Sequence, residues 1–400
     1  MSNQEDQVPQ RICLIRQSVY PYELSFRREV ETLCRAGFET HVICLDAPED
    51  NHRREETIND VHVYRLPLTR KKTSTARYMY DYLSFSFLAA LKVTSLHLRH
   101  RFAAIQVNTM PDFLVFATFI PKMLGTKIVV MMQEPVPELW QTLRNAPPPR
   151  ILSIAEQAAL AYAHTAFTVT QQLKDVYVSR GADPDRISVI LNVPESRFLE
   201  SGLEPEEETL ETPSDPEHFT LICHGAIEER YGHDTMLEAV ALAKSQIPSL
   251  RLRILGRGSY VDEFLAQRTR LGLEDCVDYL DRVSLPQMVQ ELRAADVGIV
   301  AQKSSPYSNL VHTNKMYEYI ALGKPVLASR LKAVAAYFGD DALRYFSPGD
   351  PEDLAEGILD LYQRPDKRQA LVENSQTLYN QYCWEKQKEV YLSTYRSLLM

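Results

Sequence analysis

No glycine occurs before Gly37. The first strand-like run, RICLI, leads into RQSVYPYEL, which cannot form a glycine-rich phosphate cradle. A hydride-transfer enzyme holding a dinucleotide at its first strand-to-helix turn is therefore disfavoured. The six cysteines (Cys13, Cys34, Cys44, Cys223, Cys276, Cys383) include no C-x-x-C pair, and no His/Cys group has zinc-ligand spacing. Cys13 and Cys44 lie in apolar runs and are expected to pack as small hydrophobes. The sequence contains no N-x-S/T sequon, and its leader MSNQEDQVPQ is too polar for a signal peptide. The longest apolar run, FLVFATFIPKMLG, is too short and interrupted to span a bilayer. A reduced, cytoplasmic setting is the expectation. The net charge of -9 argues against nucleic acid as a partner.

Four hundred residues suit two domains, and 45% apolar with 24% charged residues is the composition of a globular chain. Short apolar runs alternate with helical patterns: RICLI, HVICL, VHVYR, AAIQV, KIVVM, AFTVT and ISVIL, then FTLICHG, LRLRILG, VDYL, VGIVA and PVLAS. This alternation predicts βαβ units and parallel sheets, an α/β class with two doubly wound domains facing a cleft. Residues 1–200 form the first expected domain and 218–384 the second. The acidic stretch at 201–217 between them reads as linker. In YELSFRREVETLCRAG, Leu24, Val30, Leu33 and Cys34 are expected on one buried helix face. Between Arg65 and Arg101 the segment is basic, with Tyr78, Tyr80, Tyr82, Phe85 and Phe87 interleaved. It reads as a solvated basic helix with a packed aromatic face, or as a peripheral surface for anionic lipid over residues 65–101.

In open parallel sheets, ligands collect where strands end and helices begin. In HGAIEERYGHDTMLEAV, Gly225 ends a strand and Arg230 stands in the loop, where a guanidinium suits a diphosphate. In HTNKMYEYIALGKPVLAS, Lys315 and Glu318 share a helix face at i and i+3. They are either a solvated pair or, on so apolar a helix, ligand-facing groups. A buried glutamate needs donors, which ribose hydroxyls supply. Gly256 and Gly258 in GRGSY form only an incomplete dinucleotide fingerprint. Asp183-Pro184-Asp185 spells D-x-D but reads as turn chemistry.

Taken in order, these pieces resemble the retaining glycosyltransferases of family 4, which have the GT-B fold. The stretches that carry the resemblance are FTVTQQLKDVYVSRGADPDRISVILNVPESRF, HGAIEERYGHDTMLEAV, VSLPQMVQELRAADVGIVA, NKMYEYIALGKPVLAS and GDPEDLAEGILDLYQRPDKR. The resemblance implies transfer of a sugar from a nucleotide diphosphate donor, with UDP the expected nucleotide, to a glycan, lipid-linked or small-molecule acceptor. It implies no metal and no bound cofactor. Glu318 takes the place of the second glutamate of the family's E-x7-E motif, and Leu310 the place of the first. Contacts to the sugar are then expected from backbone near Val311, His312 and Thr313. Arg282 and the turn at Gly256 are expected near the base, and Gly225 near the diphosphate. Arg230, Lys315 and Glu134 are expected at the reacting centre. Gln133 stands where many relatives have histidine, and Pro137-Glu138 matches the family's Pro-Glu. Arg16, Tyr20, Tyr22, Gln133 and Glu138 are the acceptor-side candidates. A last helix over about 385–400 is expected to pack back on the first domain. Leu310, Ala226 and Gln133 keep open a second reading, a GT-B-shaped nucleotide-binding or scaffold protein without turnover.

Overall fold

The computed structural model describes residues 9–46, 53–69, 75–195 and 217–400. The linker expected at 201–217 lies outside them except for its last residue, as do Arg70, Lys71 and Lys72 of the basic segment. Two compact units result. One runs to Leu191 and includes Gln387–Met400; the other is Asn192–Lys386.

The first unit is built on eight strands: β1 (Arg11–Arg16), β2 (Glu39–Leu45), β3 (Glu55–Ile58), β4 (Val61–Leu66), β5 (Ala104–Asn108), β6 (Lys127–Met132), β7 (Thr165–Thr168) and β8 (Ile187–Val189). Their order is β3-β4-β2-β1-β5-β6-β7-β8, parallel throughout except for β3 against β4. Central strands such as β1, β5 and β6 are buried along almost their whole length, as a sheet covered on both faces requires. β3 is the edge, and its EETI sequence alternates exposed and half-buried residues, so it carries little strand signal.

The second unit has β9 (Phe219–His224), β10 (Leu250–Leu255), β11 (Val277–Leu280), β12 (Val297–Val300), β13 (Val326–Ser329) and β14 (Arg344–Phe346). The order β11-β10-β9-β12-β13-β14 is that of a doubly wound dinucleotide-type sheet, all parallel. The order in which strands are added reverses between β9 and β12, so the loops leaving those strands go to opposite faces and open a crevice at the sheet's carboxyl edge. Loop 225–232 and loop 301–313 border that crevice.

The helix Leu24–Arg35 buries Val30 and Leu33 but leaves Leu24 40% exposed and Cys34 only half-buried. Its core side instead takes Phe26 and a charged residue, Glu29, with no exposed surface. The expectation of a face made by Leu24, Val30, Leu33 and Cys34 is thus corrected, because hydrogen bonds to Gln106 and Asn108 (2.7 Å each) satisfy the buried carboxylate.

A second correction concerns the helix Thr75–His100. Its core side holds Phe85, Ala89, Val93 and Leu96, whereas Tyr80 and Phe87 point to solvent. The aromatic residues are not packed as one face.

The final helix, Trp384–Leu399, sends Tyr391 and Tyr395 into the first unit's core. Both hydroxyls donate to Gln106 Oε1, at 2.7 and 2.6 Å, and Phe167 packs on both rings. Gln387 Oε1 accepts from the Leu191 amide at 3.0 Å. Burial of two tyrosines with paired hydroxyls gives apolar contact without an unsatisfied polar group.

Candidate functional site

β9 ends at His224 and hands over to Gly225 with φ +97°, a conformation that disfavours a side chain. A Cβ on Gly256, at the end of β10, would lie 1.9 Å from the Gly225 carbonyl oxygen. Only glycine lets these two strand ends touch. Gly232 plays the same part across the crevice, since a Cβ there would lie 2.0 Å from the Ala301 carbonyl oxygen. The three loops are therefore packed backbone against backbone.

The helix Asn314–Ala321 enters this crevice with Lys315 and Glu318 only 9% and 8% exposed. They are not a surface i,i+3 pair. Glu318 Oε2 meets His224 Nε2 at 2.5 Å, and His224 Nδ1 meets the Tyr319 hydroxyl at 3.0 Å. Lys315 Nζ lies 4.6 Å from the centroid of the Tyr231 ring and 3.8 Å from Cys223 Sγ. A Cβ on Gly225 would stand 3.0 Å from Lys315 Cε, so the lysine stem is laid along the glycine.

Arg230 lies in the short 3-10 turn Glu229–Tyr231, its guanidinium carbon 4.8 Å from the Tyr231 ring centroid. Its Nε is buried and makes no hydrogen bond. The Arg230 carbonyl accepts from the Lys303 amide at 2.9 Å, joining the two crevice loops. Lys303 Nζ donates to Asp234 at 2.6 Å. Three cations thus stand on three segments at the strand ends: Arg230, Lys315, and Lys303, whose charge is shared with Asp234. The Lys315 charge is felt nearby. His233 is pushed down to about 3, by burial first and then by the Lys315 charge. Such a cluster favours an anionic ligand, and the start of Asn314–Ala321 adds amide donors and a helix dipole. Thr313 occupies the N-cap without a capping hydrogen bond, and its Oγ1 is buried without a partner.

The other donor-side candidates divide. Val311 is buried, so only its backbone is available. His312 is committed: Nδ1 meets the Tyr317 hydroxyl at 2.6 Å and Nε2 the Ala333 carbonyl at 3.0 Å, and burial lowers it to about 4. Its side chain is a brace inside the unit, which leaves its backbone for the sugar contacts expected near Val311 to Thr313. Arg282 is exposed after β11, its amide 2.7 Å from Asp281 Oδ1. Tyr279 of β11 donates to the Gly256 carbonyl at 3.0 Å, which places Arg282 in the loop neighbouring the Gly256 turn.

In the first unit, Arg16 Nη1 donates to Gln133 Oε1 at 2.7 Å, and Gln133 Nε2 reaches Glu29 Oε1 at 3.3 Å. Arg16 also pairs with Glu23 at 2.5 Å. Tyr22 is 49% exposed. Tyr20 is 1% exposed and packs edge-on against Phe26, so the expectation that it faces an acceptor is corrected: it belongs to the core. Glu134 is half-buried, two residues before the helix Val136–Arg144. Glu138 is paired with Arg180, which also holds Glu156 at 2.9 Å; this ion cluster fixes the helix Val136–Arg144. Asp183 accepts from the Asp185 amide at 3.0 Å, the turn expected of D-P-D.

Sequence reasoning missed His224, Lys303 and Glu29. The first two could have been found by position, as the last residue of a strand and the first cation after the next crevice strand. Glu29 gave no signal, because a glutamate inside a helix usually faces water. Among the described residues, Glu39, His41 and His100 bring ligand-type atoms within 4.8 Å of one another. Arg11 already holds Glu39 at 2.8 Å, so the carboxylate is compensated without a cation.

Residues 22–192 match the "Glycosyl transferase 4-like domain" and residues 218–364 match "Glycosyl transferases group 1". The chain belongs to the GT-B glycosyltransferases of the family 4 type. It is 27% identical over 248 residues to a D-inositol 3-phosphate glycosyltransferase of Thermomonospora curvata, covering 57% of this chain and 55% of that protein. A namesake from Paenarthrobacter aurescens is 25% identical over 256 residues, covering 62% and 61%. The matched region thus spans little more than half of these relatives. The GT-B fold is shared with sucrose-phosphate synthase of Thermosynechococcus elongatus, with TM-score 0.78, 18% identity, and 97% and 99% of the two chains covered. Anabaena HepE, solved in complex with UDP, gives TM-score 0.69 at 15% identity, with 97% and 100% covered. No helix among the described residues is long and apolar enough to cross a membrane.

Proposed function

We propose that this chain is a retaining glycosyltransferase using a UDP-sugar, with the donor on its second unit. The observation that carries the reading is the buried Glu318–His224 pair beside Gly225, with Lys315 on the same helix and Arg230 and Lys303 on the two loops that border the crevice. His224 takes one carboxylate oxygen of Glu318; the other suits the ribose hydroxyls. Arg230, Lys303, Lys315 and the start of Asn314–Ala321 suit the diphosphate. Uridine is consistent with the HepE structures, which hold UDP and UDP-glucose.

In the proposed reaction the bond from the sugar's anomeric carbon to the diphosphate oxygen breaks. A bond from that carbon to the acceptor oxygen forms on the same face. The acceptor proton passes to the departing phosphate. The protein's work is then orientation and stabilisation of charge on the leaving diphosphate. Three cations supply that charge compensation, so turnover is proposed to need no metal. With Leu310 in place of a second carboxylate, sugar hydroxyls are left to backbone groups of Val311–Thr313 and to Thr313 Oγ1, the buried hydroxyl without a partner.

A binding protein without turnover is the second reading, favoured by Gln133, which Arg16 and Glu29 hold in place where a catalytic histidine would stand. Incubation with UDP-glucose and related UDP-sugars, with EDTA present, separates the two. Release of UDP with a product of unchanged anomeric configuration by NMR supports transfer. Tight UDP binding with no release from any UDP-sugar across an acceptor panel favours the second reading.

A further inference from the structure

The helix Thr75–His100 is apolar on both sides. Its inner side fills the first unit's core, yet Met79, Leu83, Phe87, Leu91 and Leu98 line the outer side, with Phe87 64% exposed. Leu83, Phe87 and Leu91 follow one another at four-residue spacing and so form one ridge. From Met79 to Leu98 that ridge runs about 28 Å at the α-helical rise. The short helix Phe119–Met123, which contacts this helix, adds exposed Phe119 and Ile120 and a Met123 that is 72% exposed. A surface helix normally keeps its outer side polar, and a contiguous exposed apolar patch marks a docking surface.

Charge identifies the occupant. Between residues 77 and 127 the basic residues are Arg77, Lys92, Arg99, Arg101, Lys122 and Lys127, in a chain of net charge -9. The only acidic residues there, Asp81 and Asp112, are both buried. Arg77 is paired with Asp81 and Lys92 with Glu55, whereas Arg99 and Arg101 flank the end of the ridge in exposed positions. A second copy meeting this face through a twofold axis would bring two sets of these cations into one interface, where residues 77–127 expose no carboxylate to pair them. An apolar ridge edged with cations fits the interface of an anionic bilayer, with the ridge among acyl chains and the cations at the headgroups.

We infer that the outer face of Thr75–His100, with Phe119–Met123, docks this protein peripherally on anionic lipid. The test is co-sedimentation of the full chain with vesicles of phosphatidylcholine alone, or with one third of the lipid replaced by phosphatidylglycerol. Partition onto the phosphatidylglycerol vesicles is expected, falling as salt is raised. Arg99→Glu with Arg101→Glu should weaken it by more than fivefold per position, since each lost cation near such a surface is worth roughly that factor. Phe87→Ser with Leu91→Ser should abolish it while leaving the melting temperature and any UDP-induced stabilisation unchanged, because both side chains face outward. Protein remaining in solution with the anionic vesicles at low salt overturns the inference. So does equal binding to phosphatidylcholine alone, or a dimer in light scattering that Phe87→Ser with Leu91→Ser dissociates.

Discussion

Replacing Glu318 by glutamine keeps the shape of the donor crevice and removes one charge. In the free protein the change converts the 2.5 Å contact with His224 from a charge-assisted hydrogen bond to a neutral one. Charge-assisted bonds contribute about 1.5–3 kcal/mol and neutral ones about 0.5–1.5, so roughly 1 kcal/mol of stability is lost. For a unit of this size that lowers the melting temperature by about 2–4 °C. The effect on nucleotide should be larger. A carboxylate oxygen accepting from two ribose hydroxyls loses about 1 kcal/mol at each, so UDP affinity should fall by about thirtyfold. Calorimetry of UDP and scanning fluorimetry of the free protein, on wild type and Glu318→Gln, measure the two quantities separately. A normal melting temperature with unchanged UDP affinity would refute the placement of ribose on Glu318. A collapse of both would mean that the residue serves the fold alone.

Lys303→Ala and Arg230→Ala should each weaken UDP about tenfold or more while leaving uridine affinity unchanged, because both act on phosphate; competition calorimetry with the two ligands checks this. Gly256→Ala should yield little folded protein, since its Cβ would lie 1.9 Å from the Gly225 oxygen and neither backbone has room to move; soluble yield and melting temperature read it. His233 and His312 have folded values depressed to about 3 and 4, against 6.5 when unfolded. The unfolded chain therefore binds more protons below pH 6.5, and stability present above that pH is lost as pH falls towards 4, by up to about 1.4 kcal/mol per pH unit for each histidine. Urea titrations between pH 7 and pH 4.5 should show the slope, reduced in His312→Asn. Asp112 behaves in the opposite sense. Burial, with the charge of Glu156, raises it to about 8, so the folded state holds a proton that the unfolded state releases above pH 4. Asp112→Asn should raise stability, with a gain that grows between pH 4 and pH 8 on the order of a few kcal/mol, read in the same titrations.

The sheets were legible because a parallel strand covered on both faces must be a short, nearly continuous apolar run, and RICLI, KIVVM and FTLICHG are such runs. The strands that escaped were EETI and RYF, an edge strand whose outer residues face water and a three-residue strand. Lys315 and Glu318 were legible as ligand candidates because apolar neighbours surround them on a short helix. Their partners were not, because Glu318 and His224 are ninety-four positions apart in sequence and meet only when β9 lies beside that helix. Glu29 was missed and the outward Phe87 misread for one reason. Helical periodicity locates two faces but does not say which is covered, and here a carboxylate faces inward while a phenyl ring faces out.

Thermal unfolding of the full chain against a panel of UDP, GDP, dTDP, ADP and NAD is the most direct test of the donor site. A nucleotide present at a hundred times its Kd adds about 2.7 kcal/mol of stability, a shift well within reach of fluorimetry. Stabilisation by UDP above the others, lost in Glu318→Ala, is the expected result. No stabilisation by any nucleoside diphosphate, or a response to NAD alone, would contradict it.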